Sequence, residues 1–268
     1  MHNQRPIGIF DSGVGGLTVA RAITERLPGE RLIYVGDTRH MPYGDKSAEH
    51  IIEYCERIVE FLIREDVKLI VIACNTASAM AASHLRAKYW PQVEIRGVGR
   101  PAVEAVIRAG YKRLGIIGTK GTIQSNIYGQ LFSEYPHPPA LVQLPTPLLA
   151  PMIEQGLYGT RVSRAVLDEY LSFEGFRDTD AMLLACTHYP LIRDEVDAWF
   201  GHTKAILDNA GPMSAHVQEW LSSHQLLSEA PSGPSSFYVT EYSSSFAETA
   251  RLFFGAEVPI AEIDLHSA

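Results

Sequence analysis

Apolar and polar positions alternate along this chain in two patterns. Short, near-continuous apolar runs occupy 7–11, 32–37, 69–74, 95–98, 114–119, 141–145, 181–186 and 205–208, and most close on Asp, Thr, Pro or Cys. Strands covered by helices on both faces read this way, whereas half-exposed strands alternate strictly, so the runs predict a parallel sheet. Between them the period changes to three and four. Residues 48–65 place Ile51, Ile52, Cys55, Ile58, Val59 and Leu62 on one side of a helix with Glu and Arg opposite. Segments 150–155 and 161–173 behave in the same way. After a Ser/Pro/Gly loop at 228–236 come a strand at 237–240, a helix at 244–254 and a short strand at 260–263. Repeated strand–helix–strand units specify an α/β fold with right-handed crossovers.

The pattern is also doubled. Leu69-Ile-Val-Ile-Ala-Cys-Asn-Thr-Ala and Met182-Leu-Leu-Ala-Cys-Thr-His both run from a buried strand into Cys and then polar residues, about one small domain apart. The run at 7–11 has its counterpart at 114–119. Two pseudo-symmetric, three-layer α/β lobes with mainly parallel sheets are expected, with the active site in the cleft between them. Residues 1–98 with 208–268 would form the first lobe, carrying Cys74, and 99–207 the second, carrying Cys186. The tail is thereby expected to return to the first lobe.

Charge narrows the function classes. The 268 residues carry a formal net charge of −8, and binding to nucleic acid draws on Lys and Arg neutralising phosphates, so no nucleic-acid partner is expected. No stretch approaches the roughly 18 apolar residues that span a bilayer, and the polar leader before residue 7 is no secretory signal. A cytoplasmic protein without a membrane partner is expected. Three cysteines without C-x-x-C or Cys/His ligand spacing argue against disulfides and structural zinc. Cys55 falls on the apolar stripe of its helix, where core packing explains it.

Candidate chemistry gathers where strands end, the edge at which open α/β sheets bind ligands. Cys74 precedes Asn75-Thr76 and a helix-forming Ala-rich run, so helix N–H groups are expected to favour its thiolate. As isolated residues, Cys74 and Cys186 would read more often as buried strand-end cysteines, and His188 as a satisfied structural histidine. Matching positions in two similar halves shift that balance. The turn Asp11-Ser-Gly-Val-Gly-Gly-Leu-Thr offers backbone N–H groups to an anion, but Thr18 stands where a dinucleotide fingerprint wants Gly. A zwitterion fits that turn better, with Asp11 for its ammonium. In Pro42-Tyr43-Gly44, Tyr43 and the Gly44 N–H either grip a carboxylate or form an ordinary turn.

Together these segments resemble the glutamate racemase family. The matching pieces are Asp11-Ser-Gly-Val-Gly-Gly, Gly36-Asp-Thr, Pro42-Tyr-Gly, Ala73-Cys-Asn-Thr-Ala, Gly121-Thr-Ile-Gln-Ser and Ala185-Cys-Thr-His-Tyr-Pro-Leu, in family order. The resemblance implies racemisation of L- to D-glutamate for peptidoglycan, with no cofactor and no metal, and homodimers are common in the family. It implies Cys74 and Cys186 as the two acid/base residues on opposite faces of the α-carbon, helped by Asp11, His188 and Glu154. Asp11, Ser12, Tyr43, Gly44, Asn75, Thr76, Thr122, Thr187 and His188 are the implied substrate contacts. Ala185 and Gly99-Arg100 depart from the family pattern, and an Arg100 facing the cleft would change substrate preference. The short leader implies no regulation of the kind that acts through an N-terminal extension. Rival readings are a racemase of aspartate or another small acid, and a two-lobed small-molecule binding protein.

Overall fold

The computed structural model describes residues 4–228 and 233–265, so part of the expected loop 228–236 and the first half of the leader lie outside the described residues. Among the described residues ten strands form two sheets in which every pairing is parallel. The first contains β1 (Ile7–Asp11), β2 (Leu32–Gly36), β3 (Leu69–Ile72), β4 (Ile95–Gly97), β9 (Ser236–Val239) and β10 (Ile260–Glu262), in the order β10-β9-β2-β1-β3-β4. The second contains β5 (Arg113–Gly118), β6 (Ala140–Pro145), β7 (Ala181–Ala185) and β8 (Ala205–Asp208), in the order β6-β5-β7-β8.

The shared order explains the doubling. β2-β1-β3-β4 and β6-β5-β7-β8 are the same arrangement written twice, with β1 and β5 each central. The two cysteine-bearing strands, β3 and β7, therefore occupy equivalent places. Every residue of β1, β2, β3 and β7 is buried, which is why their sequences lack strict alternation. Most strands end one or two residues earlier than the apolar runs, while β1, β6 and β8 end where their runs do. Asp37, Cys74, Thr119 and Cys186 have left the sheets and begin the loops beyond them.

Helices cover the sheet faces. α1 (Leu17–Arg26), α2 (Ala48–Arg64) and α3 (Asn75–Tyr89) belong to the first half; α2 buries Ile51, Cys55, Ile58, Val59 and Leu62 as its period requires, with Ile52 only half-buried. α4 (Gly99–Ala109), α5 (Lys120–Gln124), α6 (Ile127–Ser133), α7 (Leu149–Glu154), α8 (Arg161–Leu171) and α9 (Arg193–Trp199) come next in the chain. The chain crosses to the second sheet at Val98 and leaves it at Asn209. It then enters α10 (Ala210–Ser223), which lies along α1. After α10 the tail rejoins the first sheet, β9 pairing with β2, and continues into α11 (Ser244–Phe254) and β10. Among the described residues no helix is long and apolar enough to cross a membrane.

One buried ion pair pins the return. Lys68 Nζ lies 2.6 Å from Glu30 Oε2, with side chains 0% and 2% exposed. Lys68 also donates to the Leu226 carbonyl, and the Ser228 N–H donates to Glu30, so both charges hold the α10–β9 connection. Removing one charge strands the other. Lys68→Met is expected to cost about 3–5 kcal/mol in urea unfolding, and the double change Lys68→Met/Glu30→Leu to recover much of that loss.

Candidate active site

The site is assembled from strand ends of both sheets. Cys74 and Ser12 lie just beyond β3 and β1, Thr119 and Cys186 just beyond β5 and β7, and all four border one cavity of about 230 Å3. Neither thiol is more than 7% exposed. Among the described residues no group of three or more His, Cys, Asp or Glu is arranged to hold a metal.

The two thiols have unlike surroundings. Cys74 is itself the N-cap of α3: the Ala77 N–H donates to its sulfur at 3.5 Å, and Ser12 Oγ lies 3.7 Å away. The expected acidification by the helix start does not prevail. Burial, reinforced by the Asp11 charge, pushes the Cys74 thiol up to about 12, against the opposing Ala77 and Ser12 contacts. After Cys186 come a bend and a short 3-10 turn at Tyr189–Ile192 that Pro190 opens. The Cys186 sulfur lies 3.7 Å from His188 Nδ1, and His188 Nε2 lies 2.7 Å from Glu154 Oε1. Burial works against an imidazolium, but Cys186 and Glu154 more than offset it and hold His188 well above its ordinary value. One thiol therefore faces a cation; the other faces a buried carboxylate.

Asp11 is that carboxylate. It is fully buried behind the cavity wall rather than lining it, accepting from the Gly13 N–H at 2.9 Å and from Thr187 Oγ1 at 3.2 Å. Burial raises its carboxyl above the usual range, and His188 and these donors pull the other way. Part of the glycine turn's set of N–H groups is thus taken by Asp11 itself. Gly13 spends its N–H on Asp11, and Gly15 and Gly16 are small because neighbours press on them. A Cβ on Gly15 would lie 2.6 Å from the His188 ring, and one on Gly16 2.5 Å from Asp11 Cβ.

Tyr43 and Gly44 line the cavity, but the Tyr43 hydroxyl is committed elsewhere. It donates to Asp37 Oδ2 at 2.6 Å, so its proton is not offered to a ligand carboxylate as the sequence allowed. Asp37 also accepts from Thr240 Oγ1 at 2.9 Å and lies 2.8 Å from His40 Nδ1. Asn75 and Thr76 line the cavity at the start of α3. Asn75 Oδ1 accepts from the Tyr128 hydroxyl at 2.6 Å, while its Nδ2 is buried without a partner among the described residues. Thr76, Thr119 and Thr122 share hydroxyl contacts of 2.8 to 3.2 Å.

Of the residues singled out from sequence, Ser12, Tyr43, Gly44, Asn75, Thr76, Glu154, Thr187, His188 and both cysteines line this cavity; Asp11 and Thr122 stand behind it, each 0% exposed. Thr119 takes the place expected for Thr122. Its position immediately after β5, matching Cys186 after β7, was the available signal. Met41, Pro42, Ala150 and Pro151 complete the wall, and nothing in their residue types marks them. Arg100 does not line the cavity and is paired through two contacts of 2.7 and 2.9 Å with Glu134.

Comparison with known proteins gives a consistent picture. Residues 14–219 match the family model for Asp/Glu/hydantoin racemase. A glutamate racemase of Chlorobaculum parvum is 37% identical over 260 residues, 96% of this chain and 95% of that protein. A crystal structure of glutamate racemase from Francisella tularensis in complex with D-glutamate superimposes with a TM-score of 0.92 at 32% identity, covering 99% of this chain and 100% of the other. One from Thermus thermophilus, in complex with beta-chloro-D-alanine, gives 0.89 at 33% identity, covering 99% of each.

The electrostatics of the two sides lead to two expected outcomes. Well below its titration point a thiol gains about tenfold in thiolate per pH unit, so Cys74 alkylation by iodoacetamide is expected to rise without plateau from pH 7 to 10. Peptide mapping reads this, and a plateau below pH 9 contradicts the assignment. Folding favours protonated His188. Its contribution to stability is therefore complete below the unfolded value near 6.5 and is lost as pH rises through the higher folded value. In denaturation series from pH 6 to 10, the wild type should lose stability relative to His188→Asn across that upper range.

Proposed function

The chain belongs to the Asp/Glu/hydantoin racemase family, among its glutamate racemases, and we propose that it interconverts L- and D-glutamate using Cys74 and Cys186 as opposed acid and base. The observation that carries this reading is the pair of strand-end thiols from different sheets bordering one small cavity. Racemisation removes an α-proton from one face and returns one to the other. A single base would have to travel around the carbon, whereas two need not. In one direction Cys186, beside His188, serves as the base and Cys74, which burial favours as the thiol, serves as the acid. Cys186 takes the proton from one face while Cys74 delivers its own to the opposite face, and the reverse reaction exchanges the roles.

Charge that develops on the α-carboxylate during proton loss needs fixed donors. The Ser12, Thr76 and Thr187 hydroxyls along the cavity wall serve as those donors, while the Asn75 amide and the Gly44 backbone bind and orient the substrate carboxylates. Asp11 acts through Thr187, and Glu154 through His188. Thr122 contributes through Thr76 and Thr119. The racemase family supplies D-glutamate to peptidoglycan, and this reading puts the enzyme in the cytoplasm, working as a homodimer on free glutamate. Its two lobes are residues 1–98 with 208–268 and residues 99–207.

Circular dichroism of L-glutamate under reducing conditions tests the activity directly. Cys74→Ser and Cys186→Ser are each expected to lower kcat by about 10²–10⁴-fold with the far-UV spectrum intact. Each variant should retain solvent-deuterium exchange into one enantiomer in preference to the other. Either variant racemising at the wild-type rate would end the two-base proposal.

A further inference from the structure

A chain of hydrogen bonds of fixed sense leads from the backbone to the cavity. It starts at the Val98 carbonyl, where the chain leaves β4. Asn209 Nδ2, at the point where the chain returns from β8, lies 3.3 Å from that oxygen and 2.9 Å from the Tyr128 hydroxyl. The Tyr128 hydroxyl lies 2.6 Å from Asn75 Oδ1. Asn75, Tyr128 and Asn209 are at most 4% exposed.

The direction of each bond is dictated by the first. A carbonyl only accepts, so Asn209 must turn its NH2 toward Val98, and the same NH2 then donates to Tyr128. A hydroxyl has one proton. With its oxygen accepting from Asn209, Tyr128 gives that proton to its other neighbour, so the atom of Asn75 it meets is the carbonyl oxygen. The remaining end of the Asn75 amide is consequently NH2. That group is buried, has no partner among the described residues, and belongs to a residue lining the cavity beside Cys74. A buried donor without an acceptor is costly, and a ligand carboxylate relieves it.

We infer that Tyr128 and Asn209 are positioning residues that set the sense of the Asn75 amide, presenting a donor to a carboxylate of the bound amino acid. Neither touches the cavity; both act through Asn75. The inference rests on the proposed reaction only for the identity of the ligand. Asn209 and Val98 also lie on the two crossings between the sheets, so the sense of the amide is tied to the segments that join the two halves.

The test compares Tyr128→Phe, which removes the hydroxyl, with Asn209→Asp, which keeps the shape but puts an acceptor where the donor was. Both are measured for racemisation and for D-glutamate affinity by calorimetry. KM and Kd are expected to rise at least tenfold while kcat changes less than threefold, because the lost interaction is one of binding and orientation. Variants that fold, by far-UV circular dichroism, with KM and Kd within twofold of wild type overturn the inference. So does a fall in kcat at unchanged KM and Kd. If one variant fails to fold, the other decides. Wild-type protein that binds D-glutamate without racemising it overturns the proposed reaction, while the Kd comparison still judges Tyr128 and Asn209. Wild-type protein that does not bind D-glutamate overturns both.

Discussion

The close meeting of two sheet edges is the constraint from which the site derives. Two sulfurs from different sheets border one small cavity only if the loops beyond β1, β3, β5 and β7 come nearly into backbone contact. Glycine makes that approach sterically feasible. A Cβ on Gly15 would collide with His188 and Thr187, one on Gly44 would lie 3.0 Å from Thr119, and one on Gly121 would lie 3.0 Å from the Gly44 carbonyl. Polar bonds then tie the edges together: Thr187 Oγ1 to Asp11, Thr18 Oγ1 to the Thr187 carbonyl, and Thr76 to Thr119. Small residues and threonines at this seam serve the geometry of the thiols before they serve any ligand.

A doubled scaffold does not make the two thiols alike. Strand order places Cys74 and Cys186 equivalently, but the loops beyond their strands differ. After β3 the chain enters a long helix directly, and Cys74 caps it; after β7 it bends, and His188 comes beside Cys186 with Glu154 behind. A two-base reaction benefits from that difference. One group must begin charged and the other protonated, and two identical settings would leave the starting state undetermined. Burial, reinforced by the Asp11 carboxylate, favours the protonated form on the Cys74 side, whereas Cys186 lies beside a His188 whose protonated form its neighbours favour.

The fold was legible in the sequence because buried parallel strands are nearly pure apolar runs, and because a duplicated pattern repeats its landmarks. Ten strands and the return of the tail to the first sheet could be read in this way, with ends shifted by one or two residues where Cys74, Thr119 and Cys186 begin loops. Most of the cavity lining could be read too, from polar residues placed just beyond apolar runs. Contacts between distant positions could not be read. Nothing local to Tyr43 reveals that its hydroxyl is given to Asp37, and nothing near Arg100 reveals Glu134, 34 residues away. The same holds for the glycines of the first turn. Their sequence is compatible with an anion site, and only the position of His188, brought from the other sheet, shows why they are small.

The tail illustrates how far the site extends beyond its lining. Among the described residues none after 188 borders the cavity, yet β9 leads directly into Thr240, whose hydroxyl donates to Asp37 and accepts from the Arg39 N–H. Thr38 Oγ1 donates to the Glu241 carbonyl and accepts from the Glu241 N–H. Those bonds span about 200 positions in sequence and fix the segment that runs on through Met41 and Pro42 to Tyr43 and Gly44. Asp37 gathers them, holding Thr240 on one side and Tyr43 on the other. One wall of the cavity is therefore held by a strand that returns to the first sheet from the far end of the chain, where β9 pairs with β2.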